Sequence, residues 1–539
     1  MEIADSKWRL VLRLIAFGTV LVASLAFGFA QRRQSQSQLP RERVVSLKAG
    51  DDLQAALNSA RFGDTIVLQA GATFSGPILL PFKGAGSGTE ADYITVRTSD
   101  LGGIASDGER IKPGLQARAM PKIVAPQEKA AVGTEPRAHH YKFVGIEFLP
   151  SSNATYVYNI IDLGSADYAA TSQFPHHLIF DRCYVHSSGL NRARRGVALN
   201  SAETSIINSH ISGFAGASDE TQAIAGWNGP GPFHLVNNYL EGAGEVVLIG
   251  GADPAVPNLV PSDIEIRRNY LRKPKEWMGR ATIKGTLELK NARRVVIEGN
   301  LIESEILTTA MVLTVRNQGG KAPWSTIEDV EIKDNIVRHA STGINILGSD
   351  NEPRSLQANR IRIVNNLLLD IIADSPDNIP YFLQTNGGRQ IIVAHNTVQQ
   401  AGNIITAYGA PTEGFVFRDN IAQFNRYGIV CLTAGSECAR DNIFCNCFPG
   451  GVVRGNVIAD NLGAAATDHI DEQYPAGNYF VSSFQRIGFA DFLHGNWRLG
   501  ITSRTRRRGT DGTDPGVNLD ALVAAGAMAA REGGRFEAR

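Results

Sequence analysis

Two basic residues close matching stretches of this chain. Lys290 ends Leu-Glu-Leu-Lys at 287–290, and Arg316 ends Val-Leu-Thr-Val-Arg at 312–316. A lysine beside an arginine gives up its proton more readily, because like charges repel, and so becomes a competent base. The arginine in turn stabilises negative charge developing on a reacting carboxylate. Together they suit β-elimination on a uronic-acid polymer, in which a base removes the proton next to the carboxylate while cations hold the enolate-like charge. The competing reading is a solvated charge ladder in which Glu288 balances Lys290. Glu245, Asp253 and Glu288 supply the hard oxygens that calcium prefers, or, set across a cleft, the two carboxylates a glycoside hydrolase needs. Trp227, Trp277 and Trp324 stand in loop-like stretches, where an indole either stacks on a sugar or packs its loop against the body. His176-His177, His339 and His395 show no metal-ligand spacing and read as structural.

The elements that must position these residues are set by a repeat. I-E-I-R-R-N-Y-L at Ile264–Leu271 returns as V-V-I-E-G-N-L-I, V-E-I-K-D-N-I-V, I-R-I-V-N-N-L-L and I-I-V-A-H-N-T-V. Each copy alternates apolar and polar residues, the period-two mark of a half-buried strand, and then turns at Asn. The marker residues Asn238, Asn269, Asn300, Asn335, Asn366, Asn396, Asn420, Asn456 and Asn478 lie 31, 31, 35, 31, 30, 24, 36 and 22 residues apart. About 22–25 residues hold three short strands and three turns, so the pattern describes stacked turns of a parallel β-helix, with loops filling the longer intervals. Asn tolerates the left-handed backbone of a tight bend, and amides stacked at one corner can bond to one another in a ladder. Cys183 and His210 fall at the same place in two earlier copies, which implies at least ten coils.

Aligning copies by their asparagines puts Glu288, Thr314 and Asn345 in one outward column and Lys290 with Arg316 in the next. Neighbouring coils repeat at about 4.8 Å, a lattice suited to gripping an extended polymer such as a polysaccharide. Asn345 and the three tryptophans are its candidate substrate contacts.

The remaining organisation follows from composition. A solenoid grows by addition, so 539 residues need no second core, and one long domain spans 44–500. The segment from Asp51, read as an N-cap, carries Leu53, Ala56, Leu57 and Ala60 on one helical face and ends near Gly63, a helix placed to cap the open core. Residues 501–539 form a turn-rich stretch and a helix-compatible tail placed to close the last coil. Formal charge is zero, from 53 basic and 53 acidic residues, so nothing draws the chain globally to nucleic acid or to a membrane surface. Leu14–Ala30 is uncharged and mostly apolar behind Lys7, Arg9 and Arg13, so residues 1–30 read as a signal peptide, with an uncleaved membrane anchor as the alternative. Residues 31–43 read as a flexible linker. The expected location is secreted, periplasmic or cell-surface, and no oligomeric state is implied. Cys431, Cys438, Cys445 and Cys447 crowd the 36-residue interval. In an exported chain they read as two disulfides of open connectivity, with a four-thiolate zinc site as the alternative.

The capping helix, the strand Thr65–Leu68 and the turn after it resemble the start of pectin-lyase-like right-handed parallel β-helix proteins, and the likeness runs over residues 44–500. Within that group, E-L-K-N-A-R-R-V-V-I-E-G-N followed one coil later by T-V-R-N-Q is similar to the paired motifs of the chondroitinase B and alginate lyase family. The resemblance implies Lys290 as base, Arg316 as acid or charge stabiliser, and calcium held by acidic residues. N-N-Y-L-E-G-A-G-E-V-V-L-I-G-G at 237–251 is similar to the metal-binding stretch of that family but carries Gly250-Gly251 where a lysine is expected. The R-x-P-x-x-R of pectate lyases, the D-P-H-D of mannuronan epimerases and the N-T-D with G-H-G of polygalacturonases are absent from the sequence. The leading expectation is a lyase on a uronic-acid-containing glycan. The alternatives are a non-catalytic carbohydrate-binding or adhesive β-helix and a glycoside hydrolase.

Overall fold

Three parallel sheets wind about one core in a right-handed β-helix. The computed structural model describes residues 43–86, 88–187, 189–432, 446–460 and 474–528; the expectations for residues 1–42 lie outside them. Each coil visits the sheets in the same order. One coil runs Ser262–Arg267 in sheet 1, Tyr270–Lys273 in sheet 2 and Leu287–Leu289 in sheet 3. Among the described residues, sheets 1 and 2 each hold 14 strands and sheet 3 holds 12. The alternation in the repeat is the cause: Ile264, Ile266, Leu271, Leu287 and Leu289 are at most 1% exposed and belong to one continuous core. Burying each such side chain is worth roughly 1.5–3 kcal/mol.

The corner between sheets 1 and 2 carries the asparagine ladder. Each Nδ2 donates to the Oδ1 of the next Asn from Asn238 to Asn478, at 2.9–3.1 Å, and all but the last are fully buried. Each Oδ1 also accepts the backbone N–H of the preceding rung, as Asn335 does from Asn300 at 3.0 Å. Two details differ from the sequence reading. The left-handed residue precedes the Asn rather than being it (Arg268, Asp334, Asn365 and Asp419 have φ of 54–58°), and this is what turns the amide inward. The rung before Asn238 is Ser209, whose N–H donates to Asn238 Oδ1 at 2.9 Å, and not His210; Cys183 is the rung before that, as its N–H donates to Ser209 Oγ at 3.0 Å.

His210 instead begins a strand of sheet 2 and stacks on Tyr239 with ring centroids 4.3 Å apart. Burial, then Arg110 and His186, push it down to about 3. The folded chain therefore holds it neutral where the unfolded chain, at the ordinary 6.5, binds a proton. Its contribution is complete above about pH 6.5 and is lost as pH falls towards about 3. Urea unfolding at pH 7 and pH 4 is expected to show wild type losing roughly 3 kcal/mol more than His210→Phe, which keeps the stack and cannot titrate.

Helix Leu53–Ser59 buries Leu53, Ala56 and Leu57, and its N-cap is Asp52, which accepts from Ala55 N at 2.9 Å; Asp51 serves the preceding turn through Lys48 N. The C-terminal helix Leu519–Ala524 does not close the last coil. It runs back along the outside of sheet 2, where Leu519 and Leu522 cover the apolar row of Tyr270, Leu301, Ile336 and Leu367. Asn518 and Asn365 exchange hydrogen bonds that fix its position. Cys431 and Cys447 form a disulfide, which removes the four-thiolate zinc reading; Cys438 and Cys445 lie outside the described residues. Cys183 is a buried free thiol.

Candidate functional site

The chemistry-bearing residues gather on the outer face of sheet 3, and the register there departs from the alignment made by asparagines. Glu288 pairs with Val312, and Val312 with Asn345, so Thr314 stands one step along from that column. The counting failed because the loops between corners differ in length, and the offset carries into the strand. Past Leu289 the register slips again: Arg316 N donates to Lys290 O at 2.9 Å. Lys290 and Arg316 are thus neighbours on successive coils, as expected, but through their backbones. Their side chains part, Lys290 Nζ lying 3.3 Å from Glu288 Oε2 and Arg316 Nη1 2.5 Å from Asp350 Oδ1.

Under Lys290 lies a group of charges that the sequence reading recognised only in part. Glu245 is fully buried, with Oε2 accepting from Gln222 Nε2 at 2.7 Å and Oε1 left without a hydrogen-bond partner. Burial and the neighbouring Glu288 raise its pKa. Lys273, also fully buried, donates to the carbonyls of Gly242, Ala243 and Gly244 at 3.0, 2.6 and 2.5 Å, three bonds that need all three ammonium protons. Burial pushes Lys273 down to about 7, against the pull of Glu245 and Glu288. Lys284 pairs with Glu220 beside them. Glu220, Glu245 and Glu288 are thereby matched by Lys273, Lys284 and Lys290.

That balance bears on calcium. Among the described residues, the groups of three His, Cys, Asp or Glu with converging ligand atoms do not include Glu245, Asp253 and Glu288. Asp253 is occupied elsewhere, its Oδ2 accepting from Gly319 N at 2.8 Å and Lys321 N at 2.9 Å to fix the 317–321 turn. Two carboxylates already matched by ammonium groups fall short of the six to eight oxygens calcium takes. The residues present do not fit that ion.

Lys273 makes a further expectation. Lys273→Met would take the ammonium donor from the Gly242 and Ala243 carbonyls, leave Gly244 O only the Lys284 N–H, and leave the acid pair undercompensated, at a cost of about 3 kcal/mol. Adding Glu245→Gln should restore part of it, and urea unfolding of the single and double variants measures both.

The aromatic and polar surroundings come from the preceding coils. Arg195 is 7% exposed, lies over Tyr158 and Trp227 at 5.2 and 4.9 Å, and donates to Gln222 Oε1 at 2.9 Å. Arg194 covers the exposed Tyr158 at 5.0 Å. Trp227 therefore belongs to this surface. Trp277 does not: it is buried against Ala215 and Ala243 and packs its loop on the body. Trp324 ties a loop down through Nε1 to Leu259 O at 3.0 Å. Asn345 lies in the Glu288 column, half-buried. Arg194, Arg195 and Gln222 were missed because the copies before Asn238 lack the marker Asn, so their coils could not be brought into register by counting; Lys273 and Lys284 were missed because their partners come from the loop at 242–244 and from Glu220, which no period places beside them.

No family model and no curated protein sequence matches the chain. Among solved structures it is similar to the PL6 family alginate lyase AlyGC, with a TM-score of 0.50 and 10% identity over 92% of this chain and 59% of that one. A point mutant of AlyGC gives 0.50 and 12% over 89% and 57%. The catalytic unit of a thermostable GH87 alpha-1,3-glucanase from Streptomyces thermodiastaticus gives 0.48 and 13% over 77% and 68%. The chain spans under three-fifths of the length of the first two, and the likeness is one of fold.

Proposed function

We propose that this chain is an exported, polysaccharide-active β-helix that cleaves a uronic-acid-containing glycan by β-elimination on the outer face of sheet 3. The observation that carries the reading is the set of cations around Lys290: Lys284 on its own coil, Arg316 on the next and Arg194 three coils before reach solvent, while Glu245 and Glu288 are buried beneath them and Glu220 is as exposed as its partner Lys284. A sugar carboxylate entering there meets positive charge. Lys290 is the base that takes the proton next to the carboxylate, Arg316 stabilises the developing charge, and the C–O bond to the neighbouring sugar breaks to leave an unsaturated uronate, the departing oxygen taking up a proton from water. Tyr158 and Trp227 border the same face and offer ring surfaces for sugar. Hydrolysis is disfavoured because Glu245 is fully buried and Glu288 nearly so, which keeps both from reaching across a glycosidic bond. The Cys431–Cys447 disulfide supports an oxidising compartment; among the described residues, no helix is long and apolar enough to cross a membrane.

A second reading, a non-catalytic carbohydrate-binding surface, is favoured by one fact: Lys290 and Arg316 are each paired with a carboxylate of their own. Incubating the protein with alginate, pectate and chondroitin separates the two. Elimination gives rising ultraviolet absorbance from the unsaturated uronate on at least one polymer, unchanged by a calcium chelator. Glycan binding without any such absorbance would replace the lyase reading with the second.

A further inference from the structure

On sheet 1, away from the residues discussed above, two coils bring four histidines together. His139-His140 and His176-His177 open successive strands, and His139 pairs with His176 in register. Consecutive residues of a regular strand point to opposite faces. Here His140 and His177 have φ of 57° and 53°, which turns both side chains of each pair to the same side. The rings stack between coils, His139 on His176 at 4.8 Å and His140 on His177 at 4.4 Å. Within each pair Nδ1 faces Nδ1 at 2.7 Å. The four rings line a cavity of about 460 Å³ together with Phe82, Arg137 and Thr171.

The outer nitrogens settle the tautomers. His139 Nε2 is 2.8 Å from Gly84 O, and His177 Nε2 is 2.8 Å from Glu203 Oε2. A carbonyl or a carboxylate only accepts, so both Nε2 atoms carry the proton and both Nδ1 atoms present a lone pair. Without a ligand, His140 and His176 meet those lone pairs by donating from their own Nδ1. A tautomer change at these two residues, with no net loss of protons, frees all four Nδ1 lone pairs, and a turn of the stacked rings, now nearly parallel, would aim them at one ion.

We propose that His139, His140, His176 and His177 bind one divalent first-row transition ion of the zinc type through their Nδ1 atoms, with Glu203 and the Gly84 carbonyl orienting two of the rings. Imidazole suits zinc or copper and not the hard cations calcium and magnesium. A ligand nitrogen from each of His139, His140 and His176 lies within 4.8 Å of the others. Zinc–imidazole bonds of about 2.0–2.1 Å in a tetrahedron place nitrogens roughly 3.4 Å apart, so the stacked rings must turn and draw together to complete the site. Bound there, the ion would fasten two adjacent coils to each other.

The test uses the full chain without an affinity tag, stripped with a chelator that is then removed, and titrated with zinc chloride by calorimetry. One equivalent per chain is expected, with affinity falling at least 100-fold in His140→Gln/His177→Gln and about 10- to 100-fold in Glu203→Gln, the usual cost of losing an outer partner. Circular dichroism of the zinc-free variants should match wild type. Cobalt titrated into wild type gives an independent measurement: intense visible bands of a four-coordinate nitrogen site are expected. Absence of binding, a weak six-coordinate cobalt spectrum, or zinc binding undiminished in the double variant, as would follow if His395, Asp419 and Asp511 took the ion, would each overturn the proposal.

Discussion

Lys290→Ala is expected to lower elimination activity by roughly 10²–10⁴-fold, the usual contribution of a positioned general base. The fold should be nearly indifferent. Lys290 is a partly exposed residue that pairs with Glu288, and Lys273 and Lys284 remain to balance that acid. A change in stability under about 1 kcal/mol is anticipated, checked by urea unfolding beside the ultraviolet assay. Lys290→Arg makes the test sharp. Arginine keeps the positive charge and cannot act as a base near neutral pH, so it should be as inactive as alanine if Lys290 removes the proton. Activity retained in Lys290→Arg would reduce Lys290 to a charge that holds the substrate. Arg316→Ala should lower kcat more than it raises KM, because charge on the sugar carboxylate grows in the transition state.

The largest loss of stability is expected from Asn335→Ala, at the middle of the ladder. Asn335 Oδ1 accepts from Asn300 N at 3.0 Å and Asn300 Nδ2 at 2.9 Å, and its Nδ2 donates to Ile297 O and Asn366 Oδ1, both at 2.9 Å. The amide is fully buried. Truncation strands two donors of Asn300 where water does not reach, at about 1–3 kcal/mol each, and adds a cavity, for a total of roughly 4–6 kcal/mol. Asn335→Ser is the informative comparison, since Ser209 is a natural rung that still accepts from the rung before it. It should recover a good part of the loss. An Asn335→Ala midpoint within about 1 kcal/mol of wild type would mean that the rungs are held by their strand pairing and core alone.

What the sequence determined by itself is the coil. Strand alternation is local, and Asn238 to Asn478 repeat at intervals that only stacked turns explain, so both the fold and eight bonds of the ladder were legible in residue types and spacing. The backbone adjacency of Lys290 and Arg316 was legible for the same reason, because each follows its strand by a similar count. What only the tertiary structure decided is everything that depends on how loops of unequal length return to the sheet. The slip after Leu289 gave Lys290 to Glu288 and Arg316 to Asp350. The turn at 317–321 took Asp253 from the acids it was grouped with. Trp277 went inward with its loop, and the C-terminal helix found an apolar row on the flank of sheet 2 that no local pattern announces. Lys273 and the histidine pairs make the same point most plainly. Their neighbours come from other coils, 29–37 residues away along the chain and one strand spacing away in space. A side chain's charge partner or ligand partner is fixed by that lateral packing, which period and propensity do not encode.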